Sequence, residues 1–227
     1  MTRNLQRLIS GGFVILGYNK YMEKDVRQAL DDIDTVNPFA TYLSDSTLSR
    51  VGGWIDTGSY VLNAIVSGSI HGGIPKGRVT MLAGESMTGK SLFVMKILAS
   101  AQKEGLIPVI FDTENAIDPE GAERLGLDVK NVKYVPCISI EQTRNALYKF
   151  LTTVKEKKLE GKFIIAIDSL GNLQSELSLA RMGKDSTSTD MGTNARAMKS
   201  LMQTCTNLGA VTQTTILCTN HVYDNPA

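Results

Sequence analysis

Between Trp54 and Thr219, short apolar and β-branched runs alternate with stretches whose apolar residues recur every three to four positions. The runs at 79–83, 108–112, 134–136, 163–168 and 215–219 are continuous rather than alternating, the pattern of strands covered on both faces. The stretches between them read as helices. Residues 91–104 carry apolar side chains at helical spacing, and Gly105 is placed to stop them. Asp118 before Pro119 is an N-cap followed by proline at the first helical position, with Gly126 closing that helix. Ser139-Ile-Glu-Gln142 is a capping-box pattern opening a long helix through Leu147, Phe150, Leu151 and Val154, which Gly161 is expected to end. Residues 174–190 read as polar and irregular, and 193–208 as a further helix. No Lys, Arg, Asp or Glu occurs between Lys199 and Asp224, so the strand at 215–219 is expected in the interior.

This alternation predicts an α/β fold, a mostly parallel β-sheet flanked by helices on both faces. Ligands of such sheets bind beyond the carboxyl ends of the strands. The core is placed at 51–227. Residues 1–50 read as a separate N-terminal part. Residues 1–21 lack periodicity and are expected to be a disordered arm or non-native upstream sequence. A short helix follows within 22–50, then a Ser/Thr/Asp-rich connector.

At 42% hydrophobic and 21% charged residues, the 227-residue chain has ordinary globular composition. Its 24 basic and 23 acidic residues give a formal charge of +1, so bulk charge demands no polyanionic or membrane partner. The 3 cysteines form no CxxC pair and only 2 histidines are present. That leaves neither a zinc-ligand constellation nor a disulfide framework, and a reducing, cytoplasmic location is expected. The apolar runs fall far short of the roughly 20 residues that span a bilayer. Gly11–Gly17, behind Arg3 and Arg7, lacks a small-residue cleavage site in 18–22, which argues against a signal peptide. No membrane partner is expected.

The candidate chemistry falls on strand ends. Gly84-Glu85-Ser86-Met87-Thr88-Gly89-Lys90-Ser91 fits G-x-x-x-x-G-K-[ST], between a strand and a helix. Its glycines let successive backbone N–H groups turn toward phosphate oxygens, Lys90 reaches the β and γ phosphates, and the Ser91 hydroxyl suits Mg²⁺. Chance yields the pattern in about one in a hundred chains of this length. Asp168 ends the strand FIIAID, where a metal-orienting carboxylate belongs, a reading that the phosphate loop upstream favours over an ordinary turn-capping aspartate. Glu114, after PVIFD, is placed to orient or deprotonate an attacking water, with Asp112 as the competing candidate and an exposed loop acid as the alternative. His221, after TTILCTN, is either a γ-phosphate contact or a structural histidine.

Together these segments resemble the RecA recombinase family. The resemblance runs from Ile55-Asp-Thr-Gly-Ser through Ile74-Pro-Lys-Gly-Arg78, the phosphate loop, FDTENAIDPE and IDSLGNL, over roughly residues 52–224. IDSLGNL, Asp190-Met-Gly with Ala-Met-Lys-Ser-Leu201, and Thr219-Asn-His221 are similar to the UvsX-type recombinases of large tailed bacteriophages. The resemblance implies a RecA-type ATPase core that hydrolyses ATP with Mg²⁺, self-associates into filaments, binds single-stranded DNA and exchanges strands. It implies nucleotide contacts from Gly84 through Ser91 and Leu92, with Lys90 and Glu114 catalytic and Ser91 and Asp168 at the metal. Asp118 matches a position near adenine, and His221 a polar γ-phosphate sensor. Gly121 falls where many relatives carry a base-stacking aromatic. Residues 174–192 match the first of two DNA-binding loops, with Met191, Gly192 and Arg196 at its DNA-contacting end. Arg181, Lys184 and Lys199 add positive charge there.

The chain stops at Ala227, where that family's second DNA-binding loop begins, so a C-terminally truncated core with impaired turnover is expected. The alternatives are a RecA-fold helicase or other DNA-associated ATPase, a regulatory ATP-binding paralogue, and a small-molecule phosphoryl transferase. The last needs an arginine-rich lid, whereas 174–190 holds one arginine.

Overall fold

The computed structural model describes residues 24–37, 39–46, 50–181 and 191–222, without the side chains of 24–26 and Met191. The arm read at 1–21, Lys184, Asp190 and the Met191 side chain lie outside the described residues. The chain separates into two compact units, one up to Thr47 and one from Leu48 onward. The first contains helix α1 (Lys24–Val36). Among the described residues no helix is long and apolar enough to cross a membrane.

The second unit opens with a small antiparallel pair, β1 (Trp54–Ile55) and β2 (Ile74–Pro75), around helix α2 (Tyr60–Ser67). Strand and helix then alternate: β3 (Val79–Gly84), α3 (Lys90–Lys103), β4 (Ile107–Asp112), α4 (Pro119–Arg124), β5 (Lys133–Pro136), α5 (Ile140–Glu156) and β6 (Phe163–Asp168). Helices α6 (Glu176–Arg181) and α7 (Met191–Val211) lead to β7 (Thr215–His221). Strands β3 to β7 form one sheet, ordered β3-β7-β6-β4-β5, and every neighbouring pair is parallel.

Side chains of the continuous apolar strands divide between two cores, since successive residues point to opposite faces. Ile110, Ile164, Ala166 and Leu217 face α3, meeting Val94, Ile97, Leu98 and Ala101. Val109, Phe111, Ile165, Ile167, Ile216 and Cys218 meet Leu147 and Leu151 of α5 and Leu201 and Cys205 of α7. Each fully buried Leu or Ile contributes about 2 kcal/mol. Strand β7 is buried along Thr215–Thr219, as its lack of charge predicts.

Three local expectations need correction. Helix α5 ends at Glu156, not at Gly161: Lys158 takes the left-handed conformation (φ 54°) and the Leu159 amide donates to Val154 O at 2.9 Å. This Schellman-type closure needs no glycine. Gly161 (φ 70°) serves the next turn, where its amide donates to Thr212 O. Second, 174–190 is not irregular throughout. Ser175, fully buried, accepts from the Ser178 amide at 3.2 Å and starts α6. Third, α7 extends past both predicted ends. Asn194 in its first turn accepts from the Ser175 amide (2.9 Å) and the Ser178 hydroxyl (3.0 Å), tying α6 to α7.

Candidate functional site

The candidate residues converge on the carboxyl edge of the sheet. Register pairs Gly84 with His221 across β3 and β7, and Asp112 with Asp168 across β4 and β6. The chain leaves β4 toward β5 and leaves β6 toward β7. Connections diverging from neighbouring strands open a crevice at their carboxyl ends.

The loop after β3 carries Met87 (φ 64°) and Gly89 (φ 85°), two left-handed residues that curl it back before α3 begins. Gly89 is the N-cap of α3 and provides no side-chain cap, and the first turn holds no acidic residue. The orphan amides of that turn and the positive helix end thus face the loop's interior, an arrangement complementary to an anion. Lys90 Nζ donates to Gly84 O (3.0 Å) and Glu85 O (2.7 Å), and the Thr88 hydroxyl donates to Glu85 O (2.8 Å). Glu85, Ser86, Met87 and Thr88 are exposed, as are Ser91 and Leu92 at the helix start.

Asp112 and Glu114, rivals on sequence alone, have different surroundings. The buried Asp112 carboxylate accepts from the amides of Glu114 and Asn115 (2.9 Å each), from Ile117 N (3.4 Å) and from the Tyr134 hydroxyl (3.1 Å). Its oxygens are committed to shaping the loop. Glu114 projects from that loop, and its Oε1 accepts from the Ser169 hydroxyl at 2.7 Å and lies 3.2 Å from His221 Nε2. The Ser169 hydroxyl, above all, holds the Glu114 carboxyl below the usual glutamate range; His221 and Lys90 act the same way, and burial opposes them. Glu114 is therefore ionised at neutral pH, an acceptor of low basicity.

Asp168 is nearly buried and accepts a short hydrogen bond from the Thr219 hydroxyl. The Asp168–Ser169 peptide bond is cis. Thr113 locks the β4 and β6 ends together: its amide donates to Asp168 O (2.9 Å) and its hydroxyl accepts from the Ser169 amide (2.8 Å). A Cβ on Gly171 would lie 3.0 Å from Asn220 Oδ1, so a bare residue there leaves room for the Asn220 side chain next to His221. Ser91, Leu92, Glu114, Asp118, Gly121 and Asp168 all border one cavity of about 350 Å³.

Asp118 is the N-cap of α4, accepting from Glu120 N (3.2 Å) and Gly121 N (2.9 Å). Gly192 and Arg196 stand exposed on the first two turns of α7, in the connection leaving β6. They belong to the same sheet edge by connectivity and do not border the cavity. Sequence reasoning missed Thr113, Ser169 and Gly171 and took Asp112 for a rival acid. For Thr113 and Ser169 the signal was adjacency, since each flanks a predicted acid within FDTEN or IDSLG; Gly171, three residues past Asp168, carried none.

The sequence profile of the RecA N-terminal domain family matches residues 25–225. Protein RecA of Chlorobium chlorochromatii is 34% identical over 166 residues, covering 72% of this chain and 42% of that protein. Protein RecA of Aquifex aeolicus is 33% identical over 130 residues, covering 57% and 37%. The recombination and repair protein of Enterobacteria phage T4 is 30% identical over 166 residues, covering 72% and 41%. The chain thus spans less than half the length of these relatives.

Proposed function

The chain belongs to the RecA N-terminal domain family, and from that premise we propose that it binds and hydrolyses ATP with Mg²⁺ in support of homologous DNA recombination and repair. Single-stranded DNA and further copies of the chain, assembled as a filament, are its proposed partners, and the cytoplasm its place of action. One observation carries the reading: an uncapped, acid-free helix start opens with Lys90, and its Ser91 shares a cavity with Glu114 and Asp168, carboxylates delivered by two other strands.

The residues present fit a magnesium nucleotide. Gly84 to Leu92 would hold the phosphates through loop amides and Lys90, with Asp118 beside the base. The Ser91 hydroxyl and the Asp168 carboxylate would hold the metal, which supplies positive charge against the phosphates when bound. Thr219 and Thr113 fix the Asp168 end of β6. Glu114, ionised and steered through Oε1, presents Oε2 to orient a water and accept its proton. The bond to His221 gives β7 a mechanical link to that carboxylate, so His221 is proposed as the element that senses the γ-phosphate. Met191, Gly192 and Arg196 are proposed to meet the DNA backbone, and residues 22–50 to engage a neighbouring copy.

ATP hydrolysis with and without single-stranded DNA tests the reading, with Lys90→Ala as control. Stimulation by DNA that disappears in Lys90→Ala supports it. ATP binding undiminished in Lys90→Ala would refute the phosphate-loop assignment.

A further inference from the structure

One wall of the nucleotide cavity carries no role in the mechanism above. It is the face of α4 on which Gly121 and Arg124 stand three residues apart, hence one above the other. A Cβ on Gly121 would lie 2.8 Å from Asp118 Oδ2 and 3.6 Å from Arg124 Nη2. The guanidinium therefore lies within ordinary contact distance of the bare position 121. Arg124 borders the cavity together with Ile117 and Leu125, facing Leu92 and Met95 of α3. Asp118 sets its direction, with Nη2 3.4 Å from Oδ2, and Glu120 adds a looser contact at 3.9 Å. This part of the cavity thus brings the apolar Leu92, Met95, Ile117 and Leu125 together with one planar cation, beside the helix turn that bears Ser91.

We propose that Arg124 is the base platform of this site, its guanidinium plane stacking on the base of a purine nucleoside triphosphate. The inference rests on Gly84–Ser91 being the triphosphate loop. A guanidinium is planar, delocalised and weakly hydrated, and it stacks on aromatic faces in a way that a lysine ammonium does not. The Asp118 oxygens accept from Glu120 N, Gly121 N and Arg124, so Asp118 holds the guanidinium, and the guanidinium is the group that meets the base face. Recognition through the face depends on ring area. Adenine and guanine are therefore held alike, and both more tightly than a pyrimidine.

The test is calorimetric titration of the full chain with ATP, GTP, CTP and inorganic tripolyphosphate. Arg124→Ala is expected to weaken ATP and GTP about tenfold and to leave tripolyphosphate unchanged. Arg124→Lys, which keeps the charge and loses the plane, is expected to behave like Arg124→Ala toward ATP. In the wild type GTP should bind within about threefold of ATP, and CTP more weakly, as face-on stacking requires. Equal losses for ATP and tripolyphosphate, or full rescue by lysine, would reduce Arg124 to a simple charge and overturn the platform. GTP binding more than about thirtyfold weaker than ATP would overturn recognition by the face. If Lys90→Ala binds tripolyphosphate as well as the wild type, the phosphate-loop reading itself fails and takes the platform with it. Arg124 is well exposed, so neither variant threatens the fold.

Discussion

Replacing Asp112 with asparagine keeps the shape of the side chain and removes one acceptor oxygen. In the native loop Oδ1 takes the amides of Glu114 and Asn115, while Oδ2 takes Ile117 N and the Tyr134 hydroxyl. An asparagine serves best with its oxygen toward the first pair. Its NH₂ then meets the Ile117 N–H donor to donor, and the Tyr134 hydroxyl turns to accept. Two charge-assisted bonds become neutral ones at about 1 kcal/mol each. The Ile117 amide loses its partner, which adds about 1 kcal/mol. Asp112→Asn should therefore lose about 3 kcal/mol, read as a lower urea midpoint at unchanged slope. Tyr134→Phe, deleting one exposed-side donor, should lose about 1 kcal/mol or less. Hydrolysis should fall in Asp112→Asn as well, because the weakened bonds are those that hold Glu114's own segment. A loss below about 1 kcal/mol, or one no larger than that of Tyr134→Phe, would show that Asp112 does not organise this loop.

Two further outcomes follow from the same geometry. Ser169→Ala removes the first cause holding the Glu114 carboxyl low, so the acid limb of the hydrolysis profile should move to higher pH. A depressed folded-state value stabilises above the unfolded value and is lost as pH falls through the folded one. The variant should thus be less stable than wild type at neutral pH and nearly equal to it in strong acid; curves that superimpose at every pH would contradict this. Gly73→Ala should destabilise by about 2 kcal/mol or more, because φ is 139° there and a Cβ would sit 2.0 Å from Ile55 O, a backbone atom that cannot swing aside. A urea midpoint unchanged from wild type would show that the β1–β2 pair yields.

The sheet was legible because parallel strands covered on both faces read as unbroken apolar runs, and FIIAID and PVIFD offer no competing period. Pairs as short as β1 and β2 have no period to detect. Helix α6 was hidden because six residues, ELSLAR, are too few to show a period, whereas its start is fixed by Ser175 and Asn194, 19 positions apart. Within the site, the loop proposed to hold phosphate stands out because its pattern is local: every group lies within eight consecutive residues. Asp112 does not, because its role depends on Tyr134, 22 positions away, reached only once β4 and β5 pair. The same holds for Ser169, which meets Glu114 across 55 positions.

The place of β7 between β3 and β6 bears on how the chain is made. Strand β3, which carries the phosphate loop, has β7 as its one neighbour in the described sheet. From Gly84 to His221 a ribosome adds 221 − 84 = 137 residues, which takes roughly 7 to 30 seconds at the usual pace of synthesis. Within that interval β4, β5 and then β6 are completed and can associate while β3 has no strand to pair with. The nucleotide loop is therefore among the first functional segments translated and among the last anchored. A newborn chain would fix the Gly84–Ser91 loop in a single late step, when the 215–221 strand slides into the gap.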